Sequence, residues 1–296
     1  MIDGALLLDK SVGVSSNFAL QKAKKLLAAR KAGHAGTLDP LASGLLLLLF
    51  GEATKFAGPL LDADKEYLAT VKLGQRTETG DAEGKVLEEK PFSVEEKQIR
   101  SVLKLFTGEI EQVPPMHSAL KRDGVPLYKL ARKGETVARA ARRVRIAELE
   151  LLRFDPPRME IRVRCSKGTY VRTLAEDLAS ALGTAGHLSA LRRTGSGGFR
   201  VEDSVTLEAL QDTPEAERVR RLIPLEGLLA GLPRADLDSS AESRFRNGQA
   251  LPFDGVQGLC GVFGRHGVVG LGKAEAGRLL PVRLTTQDAD KHQKNL

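Results

Sequence analysis

The sequence predicts an α+β protein with a smaller β-rich unit at its C-terminal end. Three observations carry this reading. Apolar residues recur at helical spacing in some segments and alternate in others. The longest apolar run, residues 45–50, has the length of a strand buried on both faces. After Gly231 the texture changes to short apolar pieces separated by glycines.

Taken in order, residues 5–9 read as a strand. Leu20, Ala23 and Leu27 stand at helical spacing behind Ser16 or Asn17 as N-cap, which predicts a helix over about 17–31. A loop over 33–40 leads to the buried strand 45–50. Residues 66–74 form an alternating strand with Tyr67, Ala69, Val71 and Leu73 on one face. The polar, Gly-rich stretch 77–84 is a loop. Ser93 and Glu96 make a capping box ahead of a helix that runs to about Phe106. Val113-Pro114-Pro115 opens a basic segment. Ile161, Val163 and Cys165 alternate with Arg162 and Arg164 as a strand, and 169–182 reads as a helix closed by Gly183. Thr213-Pro214 starts a helix with Pro at its first position, and Pro224 stops it. The pieces 258–263, 267–272 and 279–284, with Asn247-Gly248 and Asp254-Gly255 as turns, predict a barrel-like unit over 231–296. The polar residues after Thr286 are expected to fray.

Composition narrows the function. The 296 residues are 42% hydrophobic and 28% charged, as in a globular protein. No run approaches the roughly 18–20 apolar residues of a membrane helix, and an acid at position 3 does not suit a signal peptide. A cytoplasmic protein is expected. Cys165 and Cys260 are too few for a disulfide framework or a zinc site. The histidines, His34, His117, His187, His266 and His292, show no metal-ligand spacing, so no metal is expected.

Between Ser118 and Arg145 nine bases face two acids, an excess equal to the +7 of the whole chain. Lys121, Arg122, Lys129, Arg132, Arg142 and Arg143 belong to this run. Bases without interleaved acids read as a footprint for a polyanion more than as a solvated helix face, and nucleic acid is the expected partner. The segment is expected to be a mobile flap that orders on RNA. The cluster of Lys22, Lys24, Lys25, Arg30 and Lys31 is explained by a helix dipole alone.

The run Gly267 to Lys273 imitates a phosphate-binding loop. Ala274 stands where Ser or Thr would be needed, and no long helix follows. The segment 33–44 is the unusual one. It sets a single carboxylate, Asp39, in a Gly-rich loop with His34 and Thr37 just before the most apolar strand. An Asx turn would explain Asp39-Pro40, but the company it keeps favours use. At 167–172, Tyr170 and Arg172 open a helix directly after a strand. Arg172 is placed to hold a carboxylate bidentately, and Tyr170 to pack on a base.

These pieces together resemble the TruB family of tRNA pseudouridine synthases. The match rests on G-H-A-G-T-L-D-P-L-A-S-G (33–44), G-E-A-T-K-F (51–56) and K-E-Y-L-A-T-V-K-L-G-Q-R-T-E-T-G-D (65–81). It continues in V-P-P-M-H-S-A-L-K (113–121), K-G-T-Y-V-R-T-L (167–174) and H-L-S-A-L-R-R (187–193). The resemblance implies a pseudouridine synthase catalytic domain over 1–230 with a mixed, mainly antiparallel sheet and a basic insertion near 115–145. It implies a small PUA-like RNA-binding domain over 231–296. It implies isomerisation of uridine 55 in the tRNA T-loop, with Asp39 as the catalytic carboxylate, Tyr67 beneath the base and Arg172 paired with Asp39. His34 would help open the T-loop, and Lys55, Tyr170 and Leu191 would line the pocket. No cofactor, guide RNA or obligate protein partner is implied, and a monomer is expected. Ser11, Ser15 and Ser43 depart from the residues usual in the family.

The residues suit that chemistry. Breaking and remaking a glycosidic bond within one molecule needs no water, redox step or donor, and one marked carboxylate argues against hydrolysis, which uses two. Asp39 could attack C1′ or drive a glycal; the sequence leaves both open. The rivals are an RNA-binding protein without catalysis, a nucleoside hydrolase and a guide-dependent enzyme.

Overall fold

Residues 45–50 are apolar at every position because both faces of their strand are covered. Leu46, Leu48 and Phe50 pack with Leu20, Ala23 and Leu210 on one side. Leu45, Leu47 and Leu49 pack with Ala53, Leu60 and Leu228 on the other. The computed structural model that shows this describes residues 2–118, 120–131 and 133–286. The expected fraying after Thr286 lies outside the described residues.

The chain begins with β1 (Gly4–Lys10), α1 (Ser16–Leu26), β2 (Ala32–Ala35) and β3 (Ala42–Phe50). A short 3-10 segment leads to α2 (Ala57–Asp62) and β4 (Lys65–Leu73). A small hairpin of β5 (Gln75–Thr77) and β6 (Val86–Glu89) precedes α3 (Glu96–Leu105) and β7 (Gly108–Gln112). The basic segment holds β8 (Lys121–Arg122), β9 (Val125–Pro126) and α4 (Leu127–Ala131). There follow β10 (Arg142–Asp155), β11 (Arg158–Cys165), α5 (Val171–Ala181), β12 (Gly186–Ser196) and β13 (Phe199–Arg200). Three short helices follow, α6 (Leu207–Asp212), α7 (Glu215–Arg218) and α8 (Leu225–Leu229), of which α6 and α8 return to pack beside β1. The last part comprises β14 (Arg234–Asp236), α9 (Ser239–Arg246), β15 (Leu251–Pro252), β16 (Gly258–Gly264), β17 (Gly267–Glu275) and β18 (Arg278–Leu284).

The fold is α+β around a mixed, mainly antiparallel sheet of order β1-β3-β12-β4-β11-β10-β7, with β2 and β13 attached to β3 and β12. The parallel contact in this sheet is β12 against β3, where Arg193 pairs with Gly44. Gly44 has φ +97°, and a Cβ there would lie 2.2 Å from the Arg193 carbonyl oxygen. Only glycine allows the backbones to approach this closely. Helices α3 and α5 cover one face of the sheet through Ile99, Leu103, Leu174 and Leu178. The second sheet, of order β14-β16-β17-β18-β15, is curled and has its own core of Phe245, Cys260, Val262 and Leu279. It leans on the first through Phe56, Leu229, Phe263 and Leu271.

Several expectations are corrected. Helix α1 ends at Leu26 rather than near 31, because Ala28 turns to φ +48°. Part of the expected 33–40 loop is strand β2, paired with β3. The box at α3 is made by Glu95 and Gln98, not Ser93 and Glu96. Pro214 is the N-cap of a four-residue helix rather than the first position of a long one. The basic segment is not one flap: Arg142 to Ile146 pair with β7 inside the large sheet. The strand β12, between β3 and β4 in that sheet, has no counterpart among the expected elements.

Candidate active site

Asp39 sits at the tip of the β2–β3 hairpin, and the chain on either side of it is pinned. Ser16, in the first turn of α1, holds both polar atoms of the buried Leu38 backbone. Its Oγ accepts from Leu38 N at 2.8 Å and donates to Leu38 O at 2.9 Å. On the other side Gly13 N donates to Pro40 O at 2.8 Å. The turn carrying Gly13 is in turn held by the fully buried Lys10, whose Nζ donates to Ser11 O and Val14 O. Burial pushes the Lys10 pKa down to about 8, although Asp39 and Glu83 act to raise it.

Arg172, second residue of α5, meets this loop from the opposite wall. Its Nη2 lies 3.1 Å from Asp39 Oδ2, and its Nη1 lies 3.6 Å from Asp81 Oδ2. The same guanidinium donates to Thr79 O at 3.0 Å and His117 O at 2.7 Å. One arginine therefore ties the Asp39 loop, the 77–84 loop and the 113–120 segment to α5. It holds Asp39 through one nitrogen, not bidentately, because its other nitrogen serves Asp81. The side chain of Arg172 is 8% exposed and that of Asp39 44%. The cation is thus buried while the carboxylate faces open space.

That space is a cavity of about 650 Å³. Tyr67 and Leu191, from adjacent strands β4 and β12, form its floor, and Tyr170, the N-cap of α5, stands at its wall. The buried Gln112 fixes Tyr170 by accepting from its N–H at 3.0 Å and donating to its carbonyl at 3.3 Å. Burial raises the Tyr67 pKa, against which the nearby Arg193 acts to lower it.

The structure thus brings Asp39, Tyr67, Arg172, Tyr170 and Leu191 to one cavity. His34 and Lys55 do not line it. His34 lies on β2 opposite Leu48, with Nδ1 lacking a hydrogen-bond partner among the described residues, and burial lowers its pKa. Lys55 bridges instead to the chain just past β18. Its Nζ donates to Glu52 and to Thr286 Oγ1, each at 2.9 Å. Lys121, Arg122, Lys129, Arg142 and Arg143 are exposed on β8, α4 and β10, while Arg132 lies outside the described residues. The β8–β9 hairpin and α4 carry Tyr128 to the cavity rim, and His117 and Ser118 just before them also line it.

Sequence reasoning missed Asp81, Glu83, Ser16, Gln112 and Arg193. Asp81 and Glu83 fall in a stretch that reads only as a polar loop. Glu83 lines the cavity, and its pKa is raised by burial, then by Asp81 and Asp39. The cavity therefore holds three carboxylates where the sequence marked one.

Two sequence models cover most of the chain. Residues 24–171 match the TruB family pseudouridylate synthase N-terminal domain, and residues 172–230 match the tRNA pseudouridylate synthase B C-terminal domain. The border falls between Tyr170 and the paired Arg172, so the site is built from both. The tRNA pseudouridine synthase B of Burkholderia lata is 52% identical over 98% of this chain and 92% of its own length. That of Thiobacillus denitrificans is 54% identical over 96% of each chain. Among solved structures, a chain of a Cbf5-Nop10-Gar1 complex superposes with a TM-score of 0.74 at 29% identity, over 97% of this chain and 84% of that one. With a cavity that gathers residues from both matched regions, the chain belongs to the TruB family of pseudouridylate synthases.

Proposed function

We propose that the protein converts uridine 55 in the T-loop of tRNA to pseudouridine, with Asp39 as nucleophile. The observation that carries this reading is the Asp39 carboxylate, turned towards a cavity floored by Tyr67 and held from behind by the buried Arg172. The names of the Burkholderia and Thiobacillus relatives point to tRNA as the substrate.

In this reading an Asp39 oxygen attacks C1′, and the C1′–N1 pair leaves with the base. The base turns over Tyr67, C5 attacks C1′, and the aspartyl oxygen departs with its electrons. The C5–H bond then breaks, its pair restores the C5=C6 double bond, and N1 takes up a proton. Arg172 holds the carboxylate in place from the opposite wall, its Nη2 3.1 Å from Asp39 Oδ2. Tyr67 stacks on the base and serves in the proton transfer. The uridine must first leave its stack, at a cost of a few kcal/mol. Lys121, Arg122, Lys129, Arg142 and Arg143 hold the T-arm backbone while His34 assists the opening of the loop. Residues 1–230 act as the catalytic domain and 231–296 as a PUA-like RNA-binding domain, joined at Glu52, Lys55 and Thr286. The enzyme works as a monomer in the cytoplasm, without guide RNA or partner protein.

The test is pseudouridine mapping on an unmodified tRNA transcript incubated with purified protein alone. A single new pseudouridine at position 55 supports the reading; modification elsewhere, or only when a guide RNA is added, refutes it.

A further inference from the structure

Three buried cations surround the cavity without a carboxylate within ion-pair distance among the described residues: Lys10, Lys65 and Arg193. Lys10 braces the 11–14 turn. Lys65 Nζ donates to Leu60 O, Leu61 O and Ala63 O at the end of α2, an ordinary helix-terminus role. Arg193 is different. It is 1% exposed, yet its side chain reaches the cavity lining. Its Nε donates to Leu45 O at 2.6 Å and its Nη2 to Gly36 O at 3.1 Å, so it plugs the hairpin whose tip carries Asp39. Arg193 stands directly opposite Tyr67 in the β12–β4 register, both residues line the cavity, and the guanidinium acts to lower the Tyr67 pKa against burial.

We propose that Arg193 is a positioning residue that keeps the Tyr67 oxygen ready to take the proton from C5. The inference rests on the proposed isomerisation and goes beyond it by naming what makes a buried phenol usable as a base. In the last step the C5–H bond breaks and its proton goes to the phenolate oxygen of Tyr67. The C5–H pair becomes the C5=C6 bond, the C6=N1 pair moves to N1, and N1 is protonated from solvent. The phenol returns its proton to solvent before the next turnover. A phenolate in a desolvated pocket needs a fixed cation beside it. Arg193 meets that need because its other donors are already anchored to backbone carbonyls and it cannot swing away. The other charged or titratable groups acting on Tyr67 are Asp39, from the hairpin, and Cys165, on β11. Neither is a cation, so Arg193 acts alone in this direction.

The experiment is a double-mutant cycle under single turnover on a T-arm stem-loop carrying uridine or 5-deuterouridine at the target position. Arg193→Lys keeps the charge but cannot hold Leu45 O and Gly36 O from separate nitrogens while staying fixed opposite Tyr67. It should slow product formation about 100-fold, the scale of a lost acid–base contribution, and raise the deuterium isotope effect. Stem-loop affinity should stay within a few-fold of wild type. In a Tyr67→Phe background the same substitution should have no more than about 3-fold further effect, since coupled residues are not additive. Losses that multiply in the double variant, or a slow Arg193→Lys enzyme with an unchanged isotope effect, would overturn the proposal in favour of simple bracing of the hairpin. Arg193→Gln, checked for folding by circular dichroism, is the second variant and should follow the same pattern. A wild type that makes no pseudouridine in the stem-loop refutes the underlying isomerisation, an outcome distinct from either.

Discussion

Replacing Arg172 by Met should cost about 3–5 kcal/mol of folding stability, and most of that loss should trace to Asp81 rather than to Asp39. The side chain of Asp81 is 4% exposed and has Arg172 as its cation at 3.6 Å. Removing the guanidinium leaves a buried charge without compensation. Asp39 is 44% exposed, so solvent screens its pairing, and its share is about 0–1 kcal/mol. The carbonyls of Thr79 and His117 lose donors as well, which adds to the cost. Asp81→Asn removes the charge while keeping an oxygen that can accept from Thr79 Oγ1 and Glu83 N. Urea unfolding of the wild type, both single variants and the double variant at neutral pH measures the terms, with the m-value watched for changes in the unfolded state. The double variant should recover at least half of the loss. A cost under about 1 kcal/mol for Arg172→Met, or no recovery on adding Asp81→Asn, would refute the view that Arg172 is a buried hub.

Other outcomes follow from the same packing. Gly44→Ala should cost about 2–5 kcal/mol, combining positive-φ strain with a Cβ driven into the Arg193 backbone. Gly13→Ala, at φ +85° with open space around it, should cost only about 1 kcal/mol; equal losses in urea unfolding would contradict the tight β3–β12 approach. Burial first, and then Arg193, pushes the Lys65 pKa down from 10.5 to about 8. The unfolded chain therefore holds more protons between those values, and this group makes stability rise with pH across that window. The stability of Lys65→Met relative to wild type should fall as pH goes from 8 to 10.5; a constant difference would show that the ammonium is not desolvated.

Legibility in the sequence followed how local each cause is. Asp39 and Arg172 stand in short loops whose local sequence is itself unusual, whereas Tyr67 reads only as one position of an alternating strand and is singled out by the family resemblance alone. Strand β3 was legible because double burial leaves an unbroken apolar run. Strand β12 was not, because His187, Ser189, Arg192 and Arg193 interrupt it. These polar side chains are accommodated only by distant partners: Gln75 O for His187, Thr70 O for Ser189, and Asp9 for Arg192. Asp81 was hidden for a similar reason, since its cation lies 91 positions away in a helix, while locally it looks like any turn aspartate. Gln112 and Ser16 likewise act through backbone atoms of residues far along the chain, which no local pattern announces. Lys55 shows the converse. Its motif is plain, but its ammonium is engaged with Glu52 and Thr286 rather than with the cavity.

The most direct measurement of whether Asp39 drives the isomerisation uses a T-arm stem-loop whose uridines carry tritium at C5. Forming the C5–C1′ bond must send that tritium to water, so the wild type and Asp39→Asn are compared with nothing else added. One equivalent released by the wild type, and none by Asp39→Asn although it still binds the stem-loop, is the predicted result. Equal release by the two proteins, or none by a wild type that binds, would contradict it.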